Sequence, residues 1–344
     1  MSSPWLLHSP FRRELLRLLM THAHNKEHHP TDLIYIYACH ESEQALCHLE
    51  LQRLLGTSVP PEQAYLRSSR LIDPSRSPFM KLRLEVIAEN KEYDGLLADI
   101  DSHAIQVPQD RTFKVVYIKE GVHCPYDEQR KLERRAGECI TGTARMKDPD
   151  ITYGLMQLEN TWVFGIVRYA EPIWLQHKNK PYNYSTGLSS RIARAIVNVA
   201  APEGEKVSMM DPCCGMGNVL IEALSMGIKI RGNDLNPLAI RGARVNLEHY
   251  GYDASLVTLG DMNELTGHAD RAVLDLPYNL CSVLSMEEQL GMLRSLGRLA
   301  DEAVIISTEP LEEQLNRSGW RIQHHIQVTK GSFTRDIWLC EHQG

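Results

Sequence analysis

Met209-Met210-Asp211-Pro212-Cys213-Cys214-Gly215-Met216-Gly217-Asn218-Val219 decides how the second half of this chain is read. The apolar run Val207–Met210 is a strand, Asp211 stands at its end, two glycines make a turn, and a helix begins at Asn218 or Val219. Glycines let a backbone approach a ligand closely, and a helix N-terminus offers unpaired N–H groups. Taken alone, the Gly-x-Gly is equally a tight turn. Outward from it, strand-like runs at Ile228–Asn233, Leu256–Leu259, Ala272–Leu274 and Ala303–Ser307 alternate with helical segments at Val219–Met226, Pro237–Tyr250 and Met286–Leu299. That alternation predicts an α/β fold with a mostly parallel, doubly wound sheet. Too few residues separate Gln323–Thr329 from Asp336–Cys340 for a parallel crossover, so these two strands form a terminal antiparallel hairpin. A dinucleotide site would want a third glycine where Leu220 stands; without it, a smaller nucleoside ligand fits better.

The other strand ends each offer a polar group. Asp234, in Gly232-Asn233-Asp234-Leu235-Asn236-Pro237, follows the second strand, where a carboxylate can accept from two ribose hydroxyls. Asn236 and Pro237 account for the start of the next helix, which leaves Asp234 free for a ligand. Asp261 follows the third strand, beside Met262, placed for an adenine amino group. The fourth strand ends in Asp275-Leu276-Pro277-Tyr278-Asn279. An exocyclic base amine is a poor nucleophile because its lone pair is delocalised into the ring. Two acceptors, the Asp275 carboxylate and the Leu276 carbonyl, would draw that pair toward an incoming methyl group. Pro277 keeps Leu276 extended, and Tyr278 offers a flat face to an extruded base. Any one of these is an ordinary strand end; four in series are not.

Upstream the pattern is a mixed α+β unit ending near Tyr169. It contains strand Leu33–Ala38, a helix over about Glu41–Leu55 ended by Gly56, strands Phe79–Ile87 and Thr112–Ile118, helix Tyr126–Cys139, and a hairpin of Thr152–Leu158 with Trp162–Tyr169. Residues 1–30 read as a polar extension; His22, His24, His28 and His29 in it are read as that rather than as a metal tract. At 344 residues, 43% hydrophobic and 24% charged, the chain has a globular composition and room for two domains. No apolar run approaches the roughly 20 residues of a membrane span. The first twenty residues carry Arg12, Arg13, Glu14 and Arg17 among their leucines, unlike a secretion signal. Eight cysteines without a Cys-x-x-Cys pair suit neither a disulfide framework nor structural zinc, so no metal site is expected and the compartment reads as cytoplasmic. Net charge is −7, yet Arg111–Lys147 holds nine Lys/Arg against five acids. Within it Arg130, Lys131, Arg134 and Arg135 share one helix face, which on charge alone is a solvated face.

From Pro172 to Tyr278 the sequence resembles a class I S-adenosylmethionine-dependent methyltransferase. More narrowly, it is similar to the THUMP-domain tRNA guanine-N2 methyltransferases, whose first motif reads Asp-Pro-Phe-Cys-Gly-Ser-Gly-Thr and whose fourth reads Asp-Pro-Pro-Tyr. Lys180-Pro181-Tyr182-Asn183-Tyr184-Ser185-Thr186-Gly187, then Ala193-Arg194 and Val197-Asn198, is similar to the family segment that closes over the methionine end of the cofactor. Asp148-Pro149-Asp150-Ile151-Thr152 and Phe164-Gly165 resemble the closing strands of its THUMP domain, whereas Thr57–Arg111 matches poorly. The resemblance implies an extension (1–30), a THUMP-like RNA-binding region with a ferredoxin-like beginning (31–170) and a Rossmann-like methyltransferase domain (171–344). It implies S-adenosylmethionine as cofactor, with Asp211, Cys213, Gly215 and Gly217 lining it. Tyr184 and Thr186 would sit at its methionine end, Asp234 and Leu235 at the ribose, and Asp261 and Met262 at the adenine. Asp275, Leu276, Pro277 and Tyr278 would hold a guanine, at position ten of tRNA, and Arg130, Lys131, Arg134 and Arg135 would meet RNA phosphates.

The resemblance further implies a monomer away from membranes, with a small activating subunit, as eukaryotic relatives use, left open. Three positions depart from the motifs: Leu276 replaces a proline, Met216 a small hydroxyl residue and Asn218 a threonine. Adenine N6 or cytosine N4 in nucleic acid stays open as the target, because those amines ask for the same two acceptors. A non-catalytic RNA-binding protein with a degenerate methyltransferase fold is the alternative from another class.

Overall fold

The computed structural model describes residues 32–60, 62–184, 187–277, 284–330 and 333–344. Two seven-stranded sheets organise them. In chain order the first region holds β1 (Leu33–Tyr37), α1 (Gln44–Leu55), β2 (Tyr65–Ser68), β3 (Met80–Asn90), α2 (Tyr93–Ser102), β4 (Thr112–Tyr117), α3 (Tyr126–Glu138), β5 (Thr143–Ala144), β6 (Ile151–Leu158) and β7 (Thr161–Tyr169). Its sheet runs β2-β1-β3-β7-β6-β4-β5. The run Leu33-Ile34-Tyr35-Ile36-Tyr37 is apolar throughout because both faces of β1 are covered. Ile34 and Ile36 pack with Leu84, Met156 and Val163, while Leu33, Tyr35 and Tyr37 pack with α1 on the other side. β2 and α2 fall in the stretch that carries no motif. α2 starts at Glu92 without a side-chain cap and contains Gly95, so it lacks the signals by which a helix start is read.

The second region holds α4 (Ser190–Ala200), β8 (Ser208–Asp211), α5 (Asn218–Ser225), β9 (Lys229–Asp234), α6 (Pro237–His249), β10 (Val257–Leu259), β11 (Ala269–Asp275), α7 (Met286–Leu299), β12 (Ala300–Ser307), α8 (Glu312–Arg317), β13 (Trp320–Lys330) and β14 (Phe333–His342). Strands β10-β9-β8-β11-β12 are parallel, and β14 lies antiparallel between β12 and β13. The parallel sheet and its antiparallel hairpin are as the sequence predicts. Among the described residues no helix is long and apolar enough to cross a membrane.

The sheets part after Tyr169, but the core does not. Tyr35, Leu46 and Leu54 share one apolar cluster with Ile192, Ile196 and Val199 of α4. A polar network threads the same seam. Buried Asn198 donates to Glu50 Oε1 (2.6 Å) and to the Arg76 carbonyl (3.0 Å), and accepts from Arg76 Nε (2.9 Å). Ser77 donates to Glu50 Oε2 at 2.6 Å. Arg194 donates to the carbonyls of Arg76 and Ser75 and to Glu222 Oε2 (3.0 Å), whose Oε1 meets His177 Nδ1 at 2.7 Å. Arg194 and Asn198 are thereby turned into the seam. Helix α4 is buried on nearly every side: Ile192, Ile196 and Val199 share one line, and Arg194 and Asn198, one turn apart on roughly the opposite line, meet Ser75, Arg76 and, from α1, Glu50.

Candidate functional site

The carboxyl ends of β8, β9, β10 and β11 meet around a cavity of about 1000 Å³. Gly215 (φ 52°) and Gly217 (φ 81°) both adopt the left-handed backbone that favours glycine, and Gly217 N–H donates to the Cys214 carbonyl at 2.8 Å. A Cβ on Gly215 would meet nothing within 4 Å, so this turn borders open space. Gly217 does not line the cavity. It caps α5 and packs against Ala243 of α6, so its role is to shape the turn.

Asp234 is engaged rather than free. Its Oδ2 accepts the Gly215 N–H and its Oδ1 the Asn236 N–H, both at 2.8 Å, because the glycine turn passes the end of β9 and its donors need an acceptor. Each oxygen retains a lone pair for a further donor. Asn236 caps α6 by accepting from Leu238 N–H at 2.9 Å, as its sequence position predicts. Asp261 Oδ1 accepts from the Asn263 backbone (2.8 Å) and side chain (3.0 Å), shaping the loop after β10. Buried Met262 lies with its sulfur 3.7 Å from Cys213 Sγ. Asn233, 2% exposed, is a residue the sequence reading missed. It donates to the Gly260 carbonyl at 2.8 Å, while its own carbonyl accepts from Cys214 N–H, and so binds the three loops together. A buried position for an asparagine one residue before the strand-ending Asp234 was its signal.

Asp275 closes β11, and Leu276 N–H donates to the Ile306 carbonyl at 3.0 Å, extending the sheet by one residue. The Leu276 side chain is buried with Met262 and Leu293, so the substitution for proline gains a core contact. Tyr184, Leu235, Asp261, Met262, Asp275 and Pro277 all line the cavity, as do Asp211, Cys213, Gly215, Asp234 and Leu276. Thr186 and Tyr278 lie outside the described residues, as do the four histidines of the extension.

The electrostatics single out the carboxylates. Burial, reinforced by Asp275 and Asp234 nearby, pushes Asp211 well above the usual carboxyl range. Burial also raises Asp275, to about 7, against partial relief from Arg335. Asp275 Oδ1 and Asn218 Oδ1 are buried with no hydrogen-bond partner among the described residues. Burial drives both Cys213 and Cys214 well above the ordinary thiol range, so they stay protonated and packed rather than nucleophilic.

On the first region, Arg130, Lys131, Arg134 and Arg135 are exposed on α3, opposite buried Gln129, Leu132 and Ala136. Three are paired: Arg130 with Glu133 (2.6 Å), Lys131 with Glu128 (3.3 Å) and Arg135 with Asp94 (2.7 Å).

The strand order, the glycine turn and the acids that follow each strand define a Rossmann-like methyltransferase fold. Residues 177–304 match the family model UPF0020, an RMKL-like methyltransferase domain, and the chain is a methyltransferase. Among curated proteins it is similar to the tRNA (guanine(10)-N2)-dimethyltransferase of Methanothermobacter thermautotrophicus, 27% identical over 274 residues, covering 70% of this chain and 77% of that one. It is 35% identical over 122 residues to the protein of the same name from Pyrococcus abyssi, covering 34% of this chain and 36% of that one. Among solved structures, TrmN from Thermus thermophilus aligns at a TM-score of 0.48 with 17% identity, over 90% of this chain and 99% of that one.

Proposed function

We propose that this protein methylates the exocyclic N2 of a guanosine in tRNA, the one at position ten, using S-adenosylmethionine. The carrying observation is Asp275 Oδ1, a buried acceptor without a partner among the described residues, in the same cavity as the open glycine turn. The residues present fit the cofactor. Gly215 leaves a cradle that a side chain would fill, Asn218 offers an oxygen unpartnered among the described residues, and Asp234 keeps spare lone pairs for ribose hydroxyls. When bound, S-adenosylmethionine supplies an activated methyl group.

The chain's own part is positioning and charge. Asp275 Oδ1 accepts one N2 hydrogen and the Leu276 carbonyl the other, so the nitrogen lone pair is withdrawn from the ring and directed outward. Pro277 fixes the Leu276 backbone, and Tyr278 stacks on the flipped base. Once the methyl group has moved, the nitrogen must lose a proton. Asp275, raised to about 7 by burial, is basic enough to take it. The first region is a THUMP-like module (31–170) that carries the tRNA, with α3 and above all Arg134 against phosphates. The protein works as a monomer in the cytoplasm; a small activating subunit would be its only protein partner.

The test is a transfer assay with purified protein, labelled S-adenosylmethionine and unmodified tRNA, followed by digestion to nucleosides. N2-methylguanosine is the expected product. Label in adenosine or cytidine overturns the target, and no label with any nucleic acid overturns the activity.

A further inference from the structure

Helix α6 presents Gly242, Asn246 and, at its C-cap, Tyr250 at four-residue spacing, hence along one line. That line meets two arms of the cavity: the glycine turn, and the stretch that runs through Gln176 and Tyr182 to Tyr184 in the cavity wall. Asn246 is fully buried. Its Oδ1 accepts the Tyr182 N–H at 2.9 Å, and its amide nitrogen donates to the Tyr182 and Met216 carbonyls, each at 2.9 Å. One side chain therefore pairs with Tyr182 as a strand would, and also holds the residue between the two glycines. One turn earlier, the Met216 thioether lies against Gly242, where a Cβ would collide with its sulfur. At the far end the Tyr250 hydroxyl donates to the Gln176 carbonyl at 3.0 Å, and its ring meets His177 edge-on at 5.1 Å.

We propose that Asn246 and Gly242 are positioning residues for the cofactor cleft. Helix α6 is the template on which the glycine turn and the Tyr182–Tyr184 arm are held at a set separation. Gly242 gives the bulky Met216, which stands where related motifs have a small residue, a seat on the helix. Only an amide does the work of Asn246, because it accepts one N–H while donating to two carbonyls; a carboxylate cannot donate, and an aliphatic group can do neither. The inference rests on reading the cavity as the site of S-adenosylmethionine.

Calorimetric titration with S-adenosylhomocysteine, alongside methylation kinetics, tests it. Asn246→Ala is expected to weaken binding roughly tenfold or more, since buried carbonyls lose their donor. KM for S-adenosylmethionine should rise in step, with kcat at saturation falling by less than about threefold. Asn246→Asp should not rescue. Gly242→Ala should also weaken binding, and adding Met216→Ala to it should recover most of the loss. Unchanged binding in Asn246→Ala overturns the positioning role, as does failure of Met216→Ala to relieve Gly242→Ala. That second pair decides the matter alone if the Asn246 variants do not fold. No binding to the unsubstituted protein overturns the cofactor reading, and the inference with it.

Discussion

Two clusters of buried polar groups stand in this molecule, made of similar residues and treated in opposite ways. In the seam between the sheets, Glu50, Asn198, Arg76, Arg194 and Glu222 are bonded to one another and to backbone carbonyls, and none of their buried atoms lacks a partner among the described residues. At the carboxyl edge of the second sheet, Asp211 and Asp275 crowd together, with Arg335 easing the charge of Asp275, and Asp275 Oδ1 has no hydrogen-bond partner among the described residues. A buried polar atom left without a hydrogen bond costs on the order of 1–3 kcal/mol. The seam avoids that cost and serves as structure. The edge bears it, which is the mark of a place where a ligand completes the bonding.

The sharpest way to break this comparison is Asp275→Asn. It should lower methyl transfer by about a thousandfold or more while S-adenosylhomocysteine still binds. The same variant should melt higher at pH 8 than the unsubstituted protein, because an unpaired buried charge is removed. Full turnover in that variant would put the acceptor elsewhere.

Arg194→Met tests the opposite cluster. It strands Glu222 in the interior and should cost about 3–5 kcal/mol of stability in denaturant melts. A loss confined to activity would mean that the seam belongs to the site.

The pH dependence separates the two clusters again. Asp275 must be ionised to take the N2 proton, so kcat/KM should climb as pH rises toward about 7 and level off above it. Stability moves the other way. Burial raises Glu50 from 4.5 to about 7, so the native state keeps a proton that the unfolded chain releases. Its contribution is full below about pH 4.5 and is lost as pH rises through 7. Glu50→Gln should flatten that slope between pH 5 and 8, leaving the share that comes from Asp211 and Asp275.

The smallest effect is expected on α3. Arg134→Ala should weaken tRNA binding severalfold and reduce its salt dependence by about one ion, while Lys131→Ala, already paired with Glu128, should do less. Equal effects would mean that the ion pairs open on contact.

The edge was legible in the sequence because its chemistry is local. Each acid or glycine stands at the end of its own strand, so reading the strands located Asp211, Gly215, Asp234, Asp261 and Asp275. The error over Asp234 came from the same locality: Gly215 N–H, its partner, arrives from the preceding turn. The seam was illegible because the bonds that cross it join residues more than a hundred positions apart, as Arg76 and Glu50 with Asn198. Arg194 and Asn198 look like a solvated helix face until α1 is packed against them. Helix α2 and strand β2 were missed for want of capping or turn signals, and Asn246 because nothing near it in sequence shows what it binds.

The position of β14 has a consequence for how the molecule is made. Residues 333–342 fill the gap between β12 and β13, pairing on both sides. During synthesis β8 through β12 leave the ribosome first and can pair as they emerge, but the outer edge of β12 stays open until the end of β14 arrives. Closing that gap by such distant pairing is slow relative to local folding. The first sheet, complete by Tyr169, can form while the second is still waiting for the strand that joins β13 to β12.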